Sequence, residues 1–62
     1  MFRFTLVDAD KAESLGIVAF ARPDFNVGDV IPQGAGRSLR VVNVIEAEKE
    51  DELPVLVVER TR

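Results

Sequence analysis

A glycine-rich segment between two apolar runs constrains the fold of this chain more than any other feature. Residues 32–37 read Pro-Gln-Gly-Ala-Gly-Arg, and they separate Val30-Ile31 from the longest run of β-branched residues, at 39–46. Gly34 and Gly36 can take the positive φ angles that tight hairpin turns need. The residues on either side favour extended backbone. The segment therefore predicts a β-hairpin whose second strand is the long strand at 39–46.

Three other apolar segments predict strands that pair with this hairpin. In residues 2–7 the apolar side chains Phe2, Phe4 and Leu6 alternate with polar ones, which is typical of a half-buried strand with these three facing the core. Residues 15–21 are apolar but too short for a typical helix. The last strand is expected over residues 55–59, and residues 55–58 are apolar at consecutive positions, which predicts a strand covered on both faces.

Five short strands without a convincing helix predict an all-β fold. We expect one domain over residues 1–62, built as a single strongly bent sheet or a partly open barrel. A chain this short buries only about 60% of the surface that its unfolded form exposes, so its stability should be marginal. The sequence has no cysteine and no histidine, so neither a disulfide nor a typical zinc site can add stability. Self-association or a protein partner remains as a source of stability.

Two motifs carry a resemblance to a known class of fold. They read Phe25-x-x-Gly28-Asp29-x-Ile31 and, after the glycine turn, Leu39-x-Val41-x-x-Val44. Together they cover about a third of the chain and resemble small bacterial barrels of the Src-homology-three-like type. The resemblance implies a five-stranded, partly open barrel, and it implies no activity and no site.

Composition argues against several classes of partner. The net charge is −3 and the isoelectric point is near 4.7, so the chain as a whole has no attraction for nucleic acid or anionic membranes. No apolar stretch is long enough for a signal peptide or a membrane span. We therefore expect a cytoplasmic protein with no membrane partner and no cofactor.

The candidate nucleophiles lack the residues that would activate them. Ser14 and Ser38 have no histidine or cysteine to work with, and Lys11 and Lys49 lie in charged loops without an apolar pocket. We therefore expect no enzymatic activity.

The acidic residues favour structural roles. Asp24 and Asp29 flank Gly28, and Asp29 is expected to accept hydrogen bonds from N–H groups of that turn. Asp8-Ala9-Asp10 begins like a calcium loop, but positions 12, 13 and 19 are Ala, Glu and Ala, which breaks the pattern. A solvated turn is the preferred interpretation.

The segment 34–38 could also act as an anion-binding nest of backbone N–H groups beside Arg37 and Ser38. It fits neither glycine-rich nucleotide motif, because the sixth position from Gly34 is Leu39 and no lysine follows. No helix follows either. The segment is interpreted as a hairpin loop, and anion binding stays an open alternative.

Arginines suggest one alternative function. Six arginines could form a basic strip. If Arg3, Arg40 and Arg60 project from the outer faces of neighbouring strands, they could form the centre of a groove that binds single-stranded nucleic acid. No tyrosine or tryptophan is present for base stacking. The arginines considered for the strip are Arg3, Arg22, Arg37, Arg40, Arg60 and Arg62.

The favoured hypothesis is a non-catalytic interaction module that binds itself or another protein. Strict alternation in the long strand puts Val42 and Val44 on its outer face, opposite the face that holds Val41 and Ile45. The last strand adds to this outer apolar surface either Leu56 and Val58 or Val55 and Val57. These apolar side chains exceed what one small core can hide, and such patches mark interaction sites. The expected interface residues are Val42, Val44, Leu56 and Val58.

Overall fold

The computed structural model describes residues 1–61 and contains five β-strands in one sheet. Their bounds in chain order are β1 Phe2–Asp8, β2 Ser14–Phe20, β3 Val30–Gly34, β4 Arg37–Ile45 and β5 Val55–Thr61. No helix occurs in this part of the chain. The predicted all-β fold is confirmed, and the sheet is strongly curled into a half-barrel.

The first and last strands lie next to each other inside the sheet. The strand order is β2-β1-β5-β4-β3, and β1 and β5 pair in parallel while the other pairs are antiparallel. The two edges, β2 and β3, make no contact with each other, so the half-barrel stays open. This order places β5 at the centre of the sheet, where its inward side chains are covered from both sides.

The core fills the concave side of the curled sheet. Three phenylalanine rings pack edge to face at one end, with centroid separations of 5.8 Å for Phe4 and Phe20, 5.1 Å for Phe4 and Phe25, and 4.9 Å for Phe20 and Phe25. Phe25 comes from the connection between β2 and β3. The fully or nearly buried apolar residues are Phe4, Leu6, Ile31, Leu39, Val41, Leu56 and Val58.

A β-bulge in β4 changes which side chains face the core. Val41 pairs with Val58 and the next partner pair is Asn43 with Val57, so Val42 is an extra residue. Beyond the bulge Val44 lies opposite Leu56 on the concave face, and Ile45 is turned to the convex face with 49% of its surface exposed. The predicted faces of Val44 and Ile45 are therefore wrong, because one extra residue reverses the period-two alternation.

Two turns follow the sequence prediction closely. Gly28 has φ of +98°, and the Asp29 carboxylate accepts a hydrogen bond from the Asn26 N–H at 2.9 Å, as expected for a capped turn. In the hairpin between β3 and β4, Gly34 and Gly36 have the predicted positive φ, at +80° and +75°, but the loop is shorter than the predicted 32–37 because β3 extends to Gly34. Phe2, by contrast, lies at the rim of the concave face and is 47% exposed, so its predicted place in the core is wrong.

Candidate interaction surface

The four residues expected at an interface lie in different surroundings. Leu56 and Val58 are 0% and 1% exposed in the core of the single chain. Val44 is half-buried and packs against that core from the concave face. Only Val42 lies on the convex face. The expected availability of Leu56 and Val58 at a surface is thereby corrected, because β5 is a central strand and its even-numbered side chains point into the core.

The convex face instead brings together apolar side chains from four adjacent strands. Ile17 lies opposite Thr5, Thr5 lies opposite Val55, and Val55 lies opposite Ile45. These four side chains form a straight row across β2, β1, β5 and β4. With strands about 4.8 Å apart, the row is roughly 14 Å long. Ile17 is 60% exposed and Ile45 is 49% exposed, so both ends of the row are open to solvent.

A second apolar row lies beside the first. Val7 is directly opposite Val57, whose partner on β4 is the exposed Asn43, and the bulged Val42 lies next to Asn43. The three valine side chains are half-buried. No second sheet of the described residues covers this face, because all five strands belong to one sheet whose core is on the other side. We call the following set the outer patch: Thr5, Val7, Ile17, Val42, Val55, Val57 and Ile45.

Charged residues border the outer patch at both ends of the strands. Arg40 and Glu59 lie opposite each other on β4 and β5 and form an ion pair beyond the valine row. Arg3 lies opposite Ala19 beyond the other row. An apolar centre with a polar rim is the usual anatomy of a protein interface.

The structure does not bring the three central arginines together. Arg3 and Arg40 share the convex face but lie six residues apart along the strand direction, which is about 20 Å. Arg60 lies opposite Leu39, on the concave side. Arg22 is held over the Phe25 ring at 4.7 Å from its centroid. Arg37 lines an open cleft with Arg60, and Arg62 lies outside the described residues.

The two serines take part in local structure. The Ser14 hydroxyl oxygen accepts a hydrogen bond from the Gly16 N–H at 3.3 Å, beside the bulge in β2. Ser38 shares a hydrogen bond with Thr61 across β4 and β5.

Two open clefts lie at the ends of the half-barrel, with volumes of about 910 and 760 Å³. Ser38 lines the smaller one beside Arg37 and Arg60, without a general base.

The acidic residues considered as ligands also have local partners. Asp8 is 5% exposed, and its Oδ1 accepts a hydrogen bond from the Asp10 N–H at 2.9 Å. Asp29 receives the Arg22 guanidinium at 3.1 Å in addition to the Asn26 N–H. Over residues 1–61, no three histidine, cysteine or acidic side chains are grouped as a metal site would require. The same residues include no apolar helix of membrane-spanning length.

Sequence patterns predicted an exposed apolar patch, but they did not predict most of the residues that form the outer patch. Ile17 and Ile45 are its most exposed residues, and alternation along the chain does not place either of them in such a patch. The sequence does indicate that β2 could expose apolar side chains, because residues 15–20 contain no charge. The exposure of Ile45 cannot be predicted from alternation, because the bulge at Val42 reverses the face on which Ile45 lies.

Comparison with family models, curated proteins and solved structures found no match for this chain. The structure confirms a small, open, all-β half-barrel, and the resemblance to the Src-homology-three-like type stays a prediction. Any function has to be argued from the surface itself.

Proposed function

We propose that this chain is a non-catalytic protein-interaction module and that the outer patch is its contact surface. The observation that carries the proposal is the uncovered pair of apolar rows on the convex face. Six of the seven patch residues are valines or isoleucines, and all seven lie on the strands β1, β2, β4 and β5. Contiguous apolar surface with a charged rim is typical of protein contact sites.

The total surface of the chain supports this proposal. The accessible area is 4662 Å². A compact monomer of 6.9 kDa is expected to expose about 4,000 Å². The chain therefore exposes about 700 Å² more than a compact monomer of its mass, because the half-barrel is open. An open half-barrel that binds a partner would regain the burial that a closed barrel obtains within one chain.

Capture of partners from an extract of the protein's own cells tests the proposal. The tagged wild type is compared with Ile45→Lys, which places a charge at one end of the outer patch. Val30→Lys is the matched control, because Val30 is 56% exposed on the same convex face but lies opposite Arg40, outside the patch. We expect the same captured protein with the wild type and the control, and a loss of at least about tenfold with Ile45→Lys. Equal capture by all three proteins would contradict the proposal.

Nuclease treatment of the extract separates this proposal from the alternative. Protein contact through an apolar surface should survive the treatment. If the captured protein is lost after nuclease treatment, the result would overturn the proposal in favour of single-stranded nucleic-acid binding by arginines. The cytoplasmic location expected from the sequence is part of the same proposal.

A further inference from the structure

The two edges of the sheet are protected to very different degrees. On β3, Pro32 lies opposite Ser38 and has no N–H to offer to another strand. β2 has seven residues, Ser-Leu-Gly-Ile-Val-Ala-Phe, with no charge and no proline. Edge strands usually carry charges, prolines or coverage that prevent pairing with another chain. β2 has none of these within the described structure, so the backbone groups at its edge are available for pairing with another strand.

The hydrogen bonds of β1 show which groups of β2 are free. The N–H groups of Thr5 and Ala9 donate to carbonyls of the β5 side, at 3.0 and 2.8 Å, so the odd-numbered residues of β1 are directed to β5. The even-numbered residues of β1 are then directed to β2, where Phe4 is the partner of Val18. Alternation along β2 therefore directs the N–H and C=O groups of Ile17 and Ala19 away from the sheet.

The side chains of this edge fit a second copy of the same edge. An antiparallel arrangement with a two-fold axis beside Val18 puts Ile17 opposite Ala19 of the second copy, and Phe20 opposite Gly16. Each large side chain then lies opposite a small one, Val18 lies opposite itself, and no charges are opposed. The groups of Ile17 and Ala19 that face outward would form four hydrogen bonds between the copies.

We propose that two copies of this chain pair through their β2 edges in antiparallel orientation and form one continuous ten-stranded sheet. The inference rests on the proposed interaction function and names a second copy as one partner. Because the two-fold axis is perpendicular to the sheet, the convex faces lie on the same side. The two outer patches then form one larger surface with Ile17 of each copy at its centre.

Sedimentation equilibrium of three proteins tests the inference. We expect the wild type to have twice the chain mass of 6.9 kDa. Ile17→Lys should be largely monomeric, with association weakened at least about tenfold, because an edge lysine disfavours strand pairing and the ammonium groups of the two copies would lie diagonally across the contact. Val30→Lys carries the same substitution on the other edge, at a residue of similar exposure, and should remain dimeric.

Cysteine substitution tests the register, since the natural chain has no cysteine. Val18→Cys places two thiols directly opposite each other at a non-hydrogen-bonded position, where Cβ atoms are about 4.5–5.5 Å apart and small shifts permit a disulfide. Mild oxidation should give a covalent dimer. Val30→Cys should not crosslink at the same protein concentration.

Failure of the inference is distinguishable from failure of the proposed function. A wild type that stays monomeric at millimolar concentration would overturn β2 pairing, yet capture of another protein through the outer patch would still be measured separately. A dimer that is lost in Ile45→Lys and that Val18→Cys does not crosslink would overturn the edge contact and support the outer patch as the contact between copies.

Discussion

Truncation of Leu56 should remove a large part of the stability of this protein. Leu56 is 0% exposed in the central strand β5, so Leu56→Ala removes three carbon atoms that are fully withdrawn from water. The lost transfer free energy is about 2.4 kcal/mol at roughly 0.8 kcal/mol per carbon. The cavity that remains raises the expected loss to about 3–4 kcal/mol.

That loss is large compared with the total free energy of unfolding. At roughly 0.05–0.15 kcal/mol per residue, a chain of this size has about 3–9 kcal/mol. Ile45→Ala is the matched control, because it also removes three carbon atoms, but from a side chain that is 49% exposed on the convex face. We expect it to lower the free energy of unfolding by about 1 kcal/mol, since half of its surface already contacts water.

Urea unfolding followed by far-ultraviolet circular dichroism measures both variants, because the chain has neither tryptophan nor tyrosine for fluorescence. With a slope of about 1 kcal/mol per molar urea, the Leu56→Ala midpoint should fall by about 3 M or the folded state should be lost in water. Each titration is repeated at tenfold dilution, because the stability of a dimer depends on concentration. Losses within 1 kcal/mol of each other for the two variants would refute the assignment of Leu56 to the core.

Four other predictions concern the turn before β3 and the arginines. Gly28→Ala should cost about 1–2 kcal/mol in urea unfolding, because φ of +98° is strained for a residue with a Cβ; an unchanged midpoint would contradict that strain. Asp29→Ala should cost about 1–2 kcal/mol, because it removes the acceptor for the Asn26 N–H; a loss below 0.3 kcal/mol would show that the turn does not need this cap. Arg40→Ala should change stability by less than about 1 kcal/mol, because its ion pair is largely exposed. The wild type and the Arg3→Ala, Arg40→Ala double variant should both bind single-stranded oligonucleotides only weakly. In fluorescence anisotropy, we expect both dissociation constants to be above about 10⁻⁴ M. Tight, salt-dependent binding that the double variant loses would favour the nucleic-acid alternative.

Sequence patterns predicted the local structure because each part of it depends on neighbouring residues. Glycines with positive φ form the hairpin and the turn at Gly28, and Asp29 caps that turn as expected. The alternating residues of β1 predicted that Phe4 and Leu6 face the core. The apolar runs predicted five strands and an all-β fold. These features follow from backbone conformations that the residues themselves prefer.

Only the tertiary structure decided which apolar residues are available at a surface. The parallel pairing of β1 with β5 is a contact between the two ends of the chain, and it makes β5 central and buries Leu56 and Val58. The bulge at Val42 arises from the register of β4 on β5, and it reverses the faces of Val44 and Ile45. Strand order also left β2 as an open edge. Pairing partners and register are set by contacts between distant residues, so alternation within one strand does not reveal them.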